Sequence, residues 1–242
     1  MTSKECLEKI RGKLIVSCQG YADAGSPFWR AEDQAKMAEA AFNGGCSGFR
    51  LNSPEHINLV KEKFPDMPVI GIHKIHTEGN DVYITPTMEE VDALAQTKCE
   101  IIAIDGTKRL NRNGDPAYLT IKEGKKKYPD RLFMADCATF EEMCDCIKAG
   151  ADIVASTLSG YTEETDYIDD RPNFNLIRRM RKENKDIFII MEGKIHSPED
   201  VKHAFECGAD AVVCGNLITG PHKTTRRFIN YLNEQGYDQT RK

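Results

Sequence analysis

The sequence lacks any apolar run long enough to cross a bilayer. Its longest apolar stretches, such as Ile187-Phe188-Ile189-Ile190-Met191, have the length of a strand. The opening residues Met1 to Cys6 carry no apolar segment of signal-peptide length, so no secretory leader is expected. A basic excess is also missing. Lys plus Arg total 33 against 38 for Asp plus Glu, a net charge of −5 that argues against nucleic-acid and membrane-surface binding. The cysteines follow no metal-binding spacing: there are nine, an odd number, scattered through the chain. The nearest approach to a ligand pair, Cys144-Asp145-Cys146, falls on a predicted helix that would splay the two sulfurs apart. No metal site is expected, and thiols of this kind persist in a reducing cytoplasm. Nor does a Pro-, Gly- or Ser-rich linker divide the chain, so residues 1–242 are read as one domain.

What is present is a core. Hydrophobic residues make up 40% of the 242 and charged residues 29%. Short apolar runs recur, beginning at Leu14, Gly48, Val69, Ile101, Leu132, Ile153, Ile187 and Ala211. Their starts lie on average about 28 residues apart, the length that a strand, a helix and two short loops require. The stretches between them read as helices. Glu32 to Asn43 is alanine-rich, and Ser53-Pro54-Glu55 and Ser197-Pro198-Glu199 each place an N-cap before a first-turn proline. Thr139 with Glu142 forms a capping box, and Gly150 and Gly208 stop helices just before strands. Strands without polar alternation are covered on both faces, which indicates parallel pairing. Eight such units predict an α/β fold, a single (β/α)8 TIM barrel. The open doubly wound sheet is the alternative, but Ser17-Cys18-Gln19-Gly20 does not supply its glycine-rich dinucleotide turn.

In such a barrel the chemistry sits at the C-terminal ends of the strands. Those ends carry Gln19, Arg50, Lys74, Asp105, Asp136, Thr157, Glu192 and Gly215. Period-2 alternation from Ile70 and Ile72 turns Lys74 inward, and the same rule turns Asp136 and Glu192 into the barrel. A lysine in a dry mouth has a depressed pKa and can act as a base. Asp105 precedes Gly106-Thr107 and either faces the site or caps that turn; Arg50 is either an anion clamp or a rim charge. After strands 7 and 8, Gly193-Lys194 and Gly215-Asn216 offer backbone that can approach a phosphate closely. His73 and His76 are not read as a metal pair, because His73 faces outward.

Several segments resemble one family in order along the chain. They are Leu14-Ile15-Val16-Ser17-Cys18-Gln19, Gly71-Ile72-His73-Lys74, Tyr83-Ile84-Thr85-Pro86-Thr87 with Glu90-Val91-Asp92, Ile102-Ala103-Ile104-Asp105, Met134-Ala135-Asp136, Thr157-Leu158-Ser159-Gly160-Tyr161-Thr162 and Glu192-Gly193. The resemblance is to bacterial N-acetylmannosamine-6-phosphate 2-epimerases. It implies an epimerase without metal or cofactor, interconverting N-acetylmannosamine 6-phosphate and N-acetylglucosamine 6-phosphate in sialic-acid and amino-sugar breakdown. By that resemblance Lys74 is the catalytic acid/base and Glu192 its carboxylate partner, with Gln19, Arg50 and Asp136 binding or supporting the sugar. Asp105, Thr157, Ser159 and Tyr161 join them as substrate-binding candidates. Gly193, Lys194, Gly215 and Asn216 are the phosphate candidates. The resemblance also favours a homodimer, for which Phe228, Ile229, Tyr231 and Leu232 near the C-terminus either close the barrel or meet a second subunit.

The chain departs from the family pattern in three places. Ile75 stands where an arginine usually follows the lysine, and Lys194 stands where Arg or Asn is common. The segment Cys214 to Pro221 is one residue longer than the family's Gly-Gly-Ala-Ile-Thr-Arg-Pro and lacks its arginine. Inverting C2 of the sugar needs ring opening, a base for the C2 proton and donors for the enolate that forms. Neutral Lys74 takes the base role in this reading. Glu192 and Asp136 are candidates for ring opening and for proton return, and Arg50 or Gln19 for the oxyanion. An aldolase or decarboxylase acting on phosphosugars, and a non-catalytic phosphosugar-binding protein, are the rival readings.

Overall fold

The computed structural model describes residues 1–20, 26–168 and 170–239. Helix α1 (Ser3–Ile10) leads into strand β1 (Lys13–Cys18), after which helices and strands alternate. They are α2 (Ala31–Asn43), β2 (Phe49–Asn52), α3 (Pro54–Lys63), β3 (Val69–Ile72), α4 (Met88–Ala95), β4 (Ile101–Asp105), α5 (Leu119–Lys127) and β5 (Leu132–Asp136). Then come α6 (Phe140–Ala149), β6 (Ile153–Ala155), α7 (Phe174–Glu183), β7 (Phe188–Glu192), α8 (Pro198–Glu206) and β8 (Ala211–Cys214). A short α9 (Asn216–Thr219) and a longer α10 (Pro221–Glu234) follow. The strands pair in parallel in chain order, and β8 closes on β1 with Leu14 opposite Val212 and Ile15 opposite Val213. The result is the closed (β/α)8 barrel that the strand spacing predicts. Only β1, β2 and β7 start one residue away from the expected positions.

Alternation along the strands divides the apolar residues between two cores. Ile70, Ile72, Ile101, Met134, Ile190 and Val213 fill the barrel interior. Leu51, Ile102, Ile104, Phe133, Ile189 and Val212 point the other way and meet the helices. Each such side chain taken out of water contributes about 1.5–3 kcal/mol. Helix α1, which the repeat analysis did not include, adds buried Cys6 and Ile10 to the interior core. Thr2 and Glu5 form its capping box.

The helix-start signals act as their chemistry dictates. Ser53 and Ser197 cap α3 and α8, each ahead of a first-turn proline. The Thr139 hydroxyl accepts from the Glu142 N–H at 3.3 Å while the Glu142 carboxylate accepts from the Thr139 N–H at 3.0 Å. Cys144 and Cys146 diverge as expected. Cys146 is buried with its sulfur 3.8 Å from that of Cys137, while Cys144 is only half-buried. Among the described residues no group of three or more His, Cys, Asp or Glu is placed to share a metal ion, and no helix is long and apolar enough to cross a membrane. Helix α10 stands apart from the core: none of its residues is buried, and Phe228 and Tyr231 are exposed.

Candidate active site

Arg50 lies on β2 between Phe49 and Leu51, both of which face the helices, so its side chain enters the barrel. Only 1% of Arg50 is exposed. Its Nη1 donates to Asp136 Oδ1 at 3.1 Å and also to Glu192 Oε2, and its Nη2 donates to Asp136 Oδ2. The Thr157 hydroxyl donates to Asp136 Oδ1 at 2.6 Å and lies 3.3 Å from Glu192 Oε2. The Ser156 hydroxyl donates to the Glu192 carbonyl at 2.9 Å and accepts the Glu192 N–H at 3.2 Å, pinning the end of β7 to that of β6. Burial opposes the charge on Arg50, but the two carboxylates outweigh it and hold the guanidinium pKa above its usual value. For Glu192 burial wins in the other direction. Assisted by the nearby Asp136 charge, it raises this carboxyl above the usual range despite Arg50.

Lys74 sits two residues beyond β3, where its N–H donates to Asn52 Oδ1 at 2.9 Å and its backbone bridges to Ile84. Its ammonium is 5.5 Å from the centre of the Tyr83 ring. Burial pushes its pKa down to about 8, and the charge of Lys223 pushes the same way, against the pull of Glu192 and Asp136. A lysine lowered toward neutrality thus stands beside a glutamate raised toward it. Paired shifts of this kind mark acid/base chemistry.

A cavity of about 360 Å³ opens over this cluster at the C-terminal ends of the strands. Gln19, Arg50, Lys74, Thr157, Tyr161, Glu192, Gly193, Lys194, Gly215 and Asn216 all line it. The other three expected residues do not. Asp136 is fully buried beneath Arg50 and Thr157, with its oxygens taken by those two side chains. Asp105 accepts from the Thr107 N–H at 2.9 Å, the Thr107 hydroxyl at 2.6 Å and Arg109 at 2.8 Å, which is the turn-capping alternative. Burial, against the pull of Arg109 and Thr107, raises its carboxyl to about 6. Ser159 is buried and accepts from Asn173, the N-cap of α7, so it ties its loop to that helix.

The β7 loop is shaped by two successive left-handed residues, Gly193 at φ +100° and Lys194 at φ +56°. The second is uncommon for a residue with a side chain. The Lys194 ammonium donates to the Ile168 carbonyl at 2.9 Å and lies 5.3 Å from the centre of the Tyr161 ring, bracing the loop that follows β6. Ser17, Tyr83, Ile84, Leu158, His196, Thr219 and Lys223 also line the cavity, although the strand-end reading did not select them. For Ser17 a signal existed, since the alternation that selects Gln19 also turns Ser17 inward. Tyr83 arrives through an irregular ribbon in which its carbonyl accepts from the Ile75 N–H at 3.0 Å, and no periodicity announces that ribbon.

Known proteins are similar to this chain in sequence and in fold. The family model described as "Putative N-acetylmannosamine-6-phosphate epimerase" matches residues 34–234. A relative of that name from Caldanaerobacter subterraneus is 43% identical, the match covering 98% of each chain. Another, from Clostridioides difficile, is 40% identical over 93% of this chain and 98% of its own. The solved N-acetylmannosamine-6-phosphate 2-epimerase from Clostridium perfringens superposes with a TM-score of 0.87 at 39% identity, covering 93% of this chain and 96% of that one. A thiamine phosphate pyrophosphorylase from Pyrococcus furiosus, at 14% identity and a TM-score of 0.60 over 88% of this chain and 89% of its own, shares the fold alone. On the family match and these near-full-length relatives, the chain belongs to the N-acetylmannosamine-6-phosphate epimerase family.

Proposed function

We propose that this protein interconverts N-acetylmannosamine 6-phosphate and N-acetylglucosamine 6-phosphate by removing and returning the proton at C2, as a step in amino-sugar breakdown. Within a family of that activity, the observation that carries the reading is Lys74, lowered to about 8 beside a raised Glu192 in one cavity. The C2 hydrogen becomes acidic only in the open-chain aldehyde. Neutral Lys74 takes that proton, and the electrons of the C2–H bond move into a C1–C2 double bond while charge collects on the C1 oxygen. Arg50 and Gln19, both on the cavity wall, are donors for that oxygen. As the ring opens, the Glu192 carboxylate takes the proton of the C1 hydroxyl while the ring oxygen is protonated from solvent, and Glu192 then delivers the proton it has gained to the opposite face of C2. Asp136, off the wall, acts through Arg50 and Thr157 by holding both in place.

The test is proton NMR of N-acetylmannosamine 6-phosphate incubated with the enzyme in heavy water. N-acetylglucosamine 6-phosphate carrying deuterium at C2 is the expected product. Conversion with full retention of the original hydrogen would exclude this chemistry, and absence of conversion would exclude the activity.

Two wider features belong to the same reading. The nine cysteines are all free and seven are buried, which supports a reducing, cytoplasmic setting. The unburied α10, with Phe228 and Tyr231 exposed, supports a homodimer in which a second copy covers that helix. Light scattering on the eluting protein is expected to give about twice the 27.2 kDa chain mass, and a monomer would refute it.

A further inference from the structure

Among the described residues the cavity wall carries four cationic side chains, from Arg50, Lys74, Lys194 and Lys223. Three of them have other work. Arg50 is taken up by Asp136 and Glu192. Lys74 must lose its proton to act as a base. The Lys194 ammonium is drawn back onto the Ile168 carbonyl. Lys223 differs: among the described residues no carboxylate pairs with its ammonium. It stands in the first turn of α10, which packs on α9 through the Thr224 hydroxyl donating to the Asn216 carbonyl at 3.1 Å, and it lines the cavity together with Gly215, Asn216 and Thr219.

The chain has no arginine between Cys214 and Pro221, and Gly220 cannot be replaced by one at little cost. A Cβ there would lie 2.8 Å from the Asn216 carbonyl oxygen and 3.1 Å from its Cα. The backbone of α9 therefore closes off position 220 as a source of positive charge. The next cation along the chain that lines the cavity is Lys223.

We propose that Lys223 is the substrate-binding residue that supplies positive charge to the phosphate of the sugar, against the Gly215–Asn216 wall. The inference rests on the epimerase reading for its substrate but not for its anion. In the unliganded protein the charge on Lys223 also disfavours charge on Lys74, which places the two ammonium groups in one electrostatic neighbourhood. Lys223 is exposed, so replacing it leaves the core untouched.

The experiment compares wild type, Lys223→Met and Lys223→Arg, each with the phosphosugar and with inorganic phosphate as a competing probe. A lost charge-assisted contact to phosphate corresponds to a roughly tenfold or larger rise in KM. The Met variant is expected to show that rise with a much smaller change in kcat, and a matching loss of inhibition by inorganic phosphate. The Arg variant is expected to restore most of both. A Met variant with wild-type KM and wild-type phosphate inhibition would overturn the assignment. Line broadening of the phosphorus signal of inorganic phosphate reads the site without turnover. If wild type fails to epimerise the sugar but broadens that signal in a Lys223-dependent way, the substrate reading falls and the anion site stands.

Discussion

Replacing Lys74 with Met is expected to lower kcat by about a thousandfold, within the range that a positioned general base contributes. KM should change far less, because the variant keeps the cavity and the ion cluster beneath it. The native enzyme should show the complementary pH signature. With the Lys74 pKa at about 8, the neutral form grows as pH rises, so kcat/KM should climb through that region and level off above it. Among the described residues the charges that act on Lys74 are those of Glu192 and Asp136, which hold its pKa up, and of Lys223, which holds it down. Below pH 8 activity should fall about tenfold per pH unit, the slope of one required deprotonation. Steady-state kinetics from pH 6 to 9.5, with deuterium exchange at C2 as a second readout, checks both. A Met variant with near-native exchange would remove Lys74 from the chemistry.

The second large effect is expected at Asp136. Changing it to Asn keeps the shape but leaves the buried Arg50 with Glu192 as its remaining carboxylate among the described residues. Removing one member of a buried ion cluster costs about 3–5 kcal/mol. In a chain of this size that corresponds to a fall in Tm of very roughly 6–15 °C. Thermal and urea unfolding measure it. Activity should fall too, although Asp136 does not reach the cavity, because Arg50 and Thr157 lose the group that holds them. Removing the Asp136 charge also takes away one influence that raises the Lys74 pKa. The acid limb of the pH profile should therefore move to lower pH, a shift that simple loosening of the fold would not produce. An Asp136→Asn protein with native Tm and an unmoved profile would show that the cluster does not depend on it.

Much of this was legible in the amino acids because a parallel barrel obeys two periodicities at once. The spacing of apolar runs gives the unit, and alternation within each run gives the inward face. Arg50, Lys74, Thr157 and Glu192 were all accessible that way. The same alternation selects Asp136 and Asp105 equally well, and here the reading reaches its limit. Pattern tells which way a side chain points but not how deep it stops, nor who claims its oxygens. Arg109 and Thr107 claim those of Asp105, and Arg50 lies over Asp136. Ser159 was misplaced for a related reason: its partner Asn173 is distant in sequence and belongs to a loop without periodicity. Lys223 was illegible because α10 follows a helix of four residues whose direction no apolar pattern sets.

One consequence follows from where the charges of the Arg50 cluster originate. Arg50 and Lys74 come from the first four strand–helix units, whereas Asp136 and Glu192 come from the last four. Within this cluster the guanidinium comes from one half and both carboxylates that pair with it from the other, so neither half alone supplies the partners. The ionic cluster that equips the pocket therefore also penalises a half-finished ring, and it ties assembly of the reaction centre to completion of the whole circle.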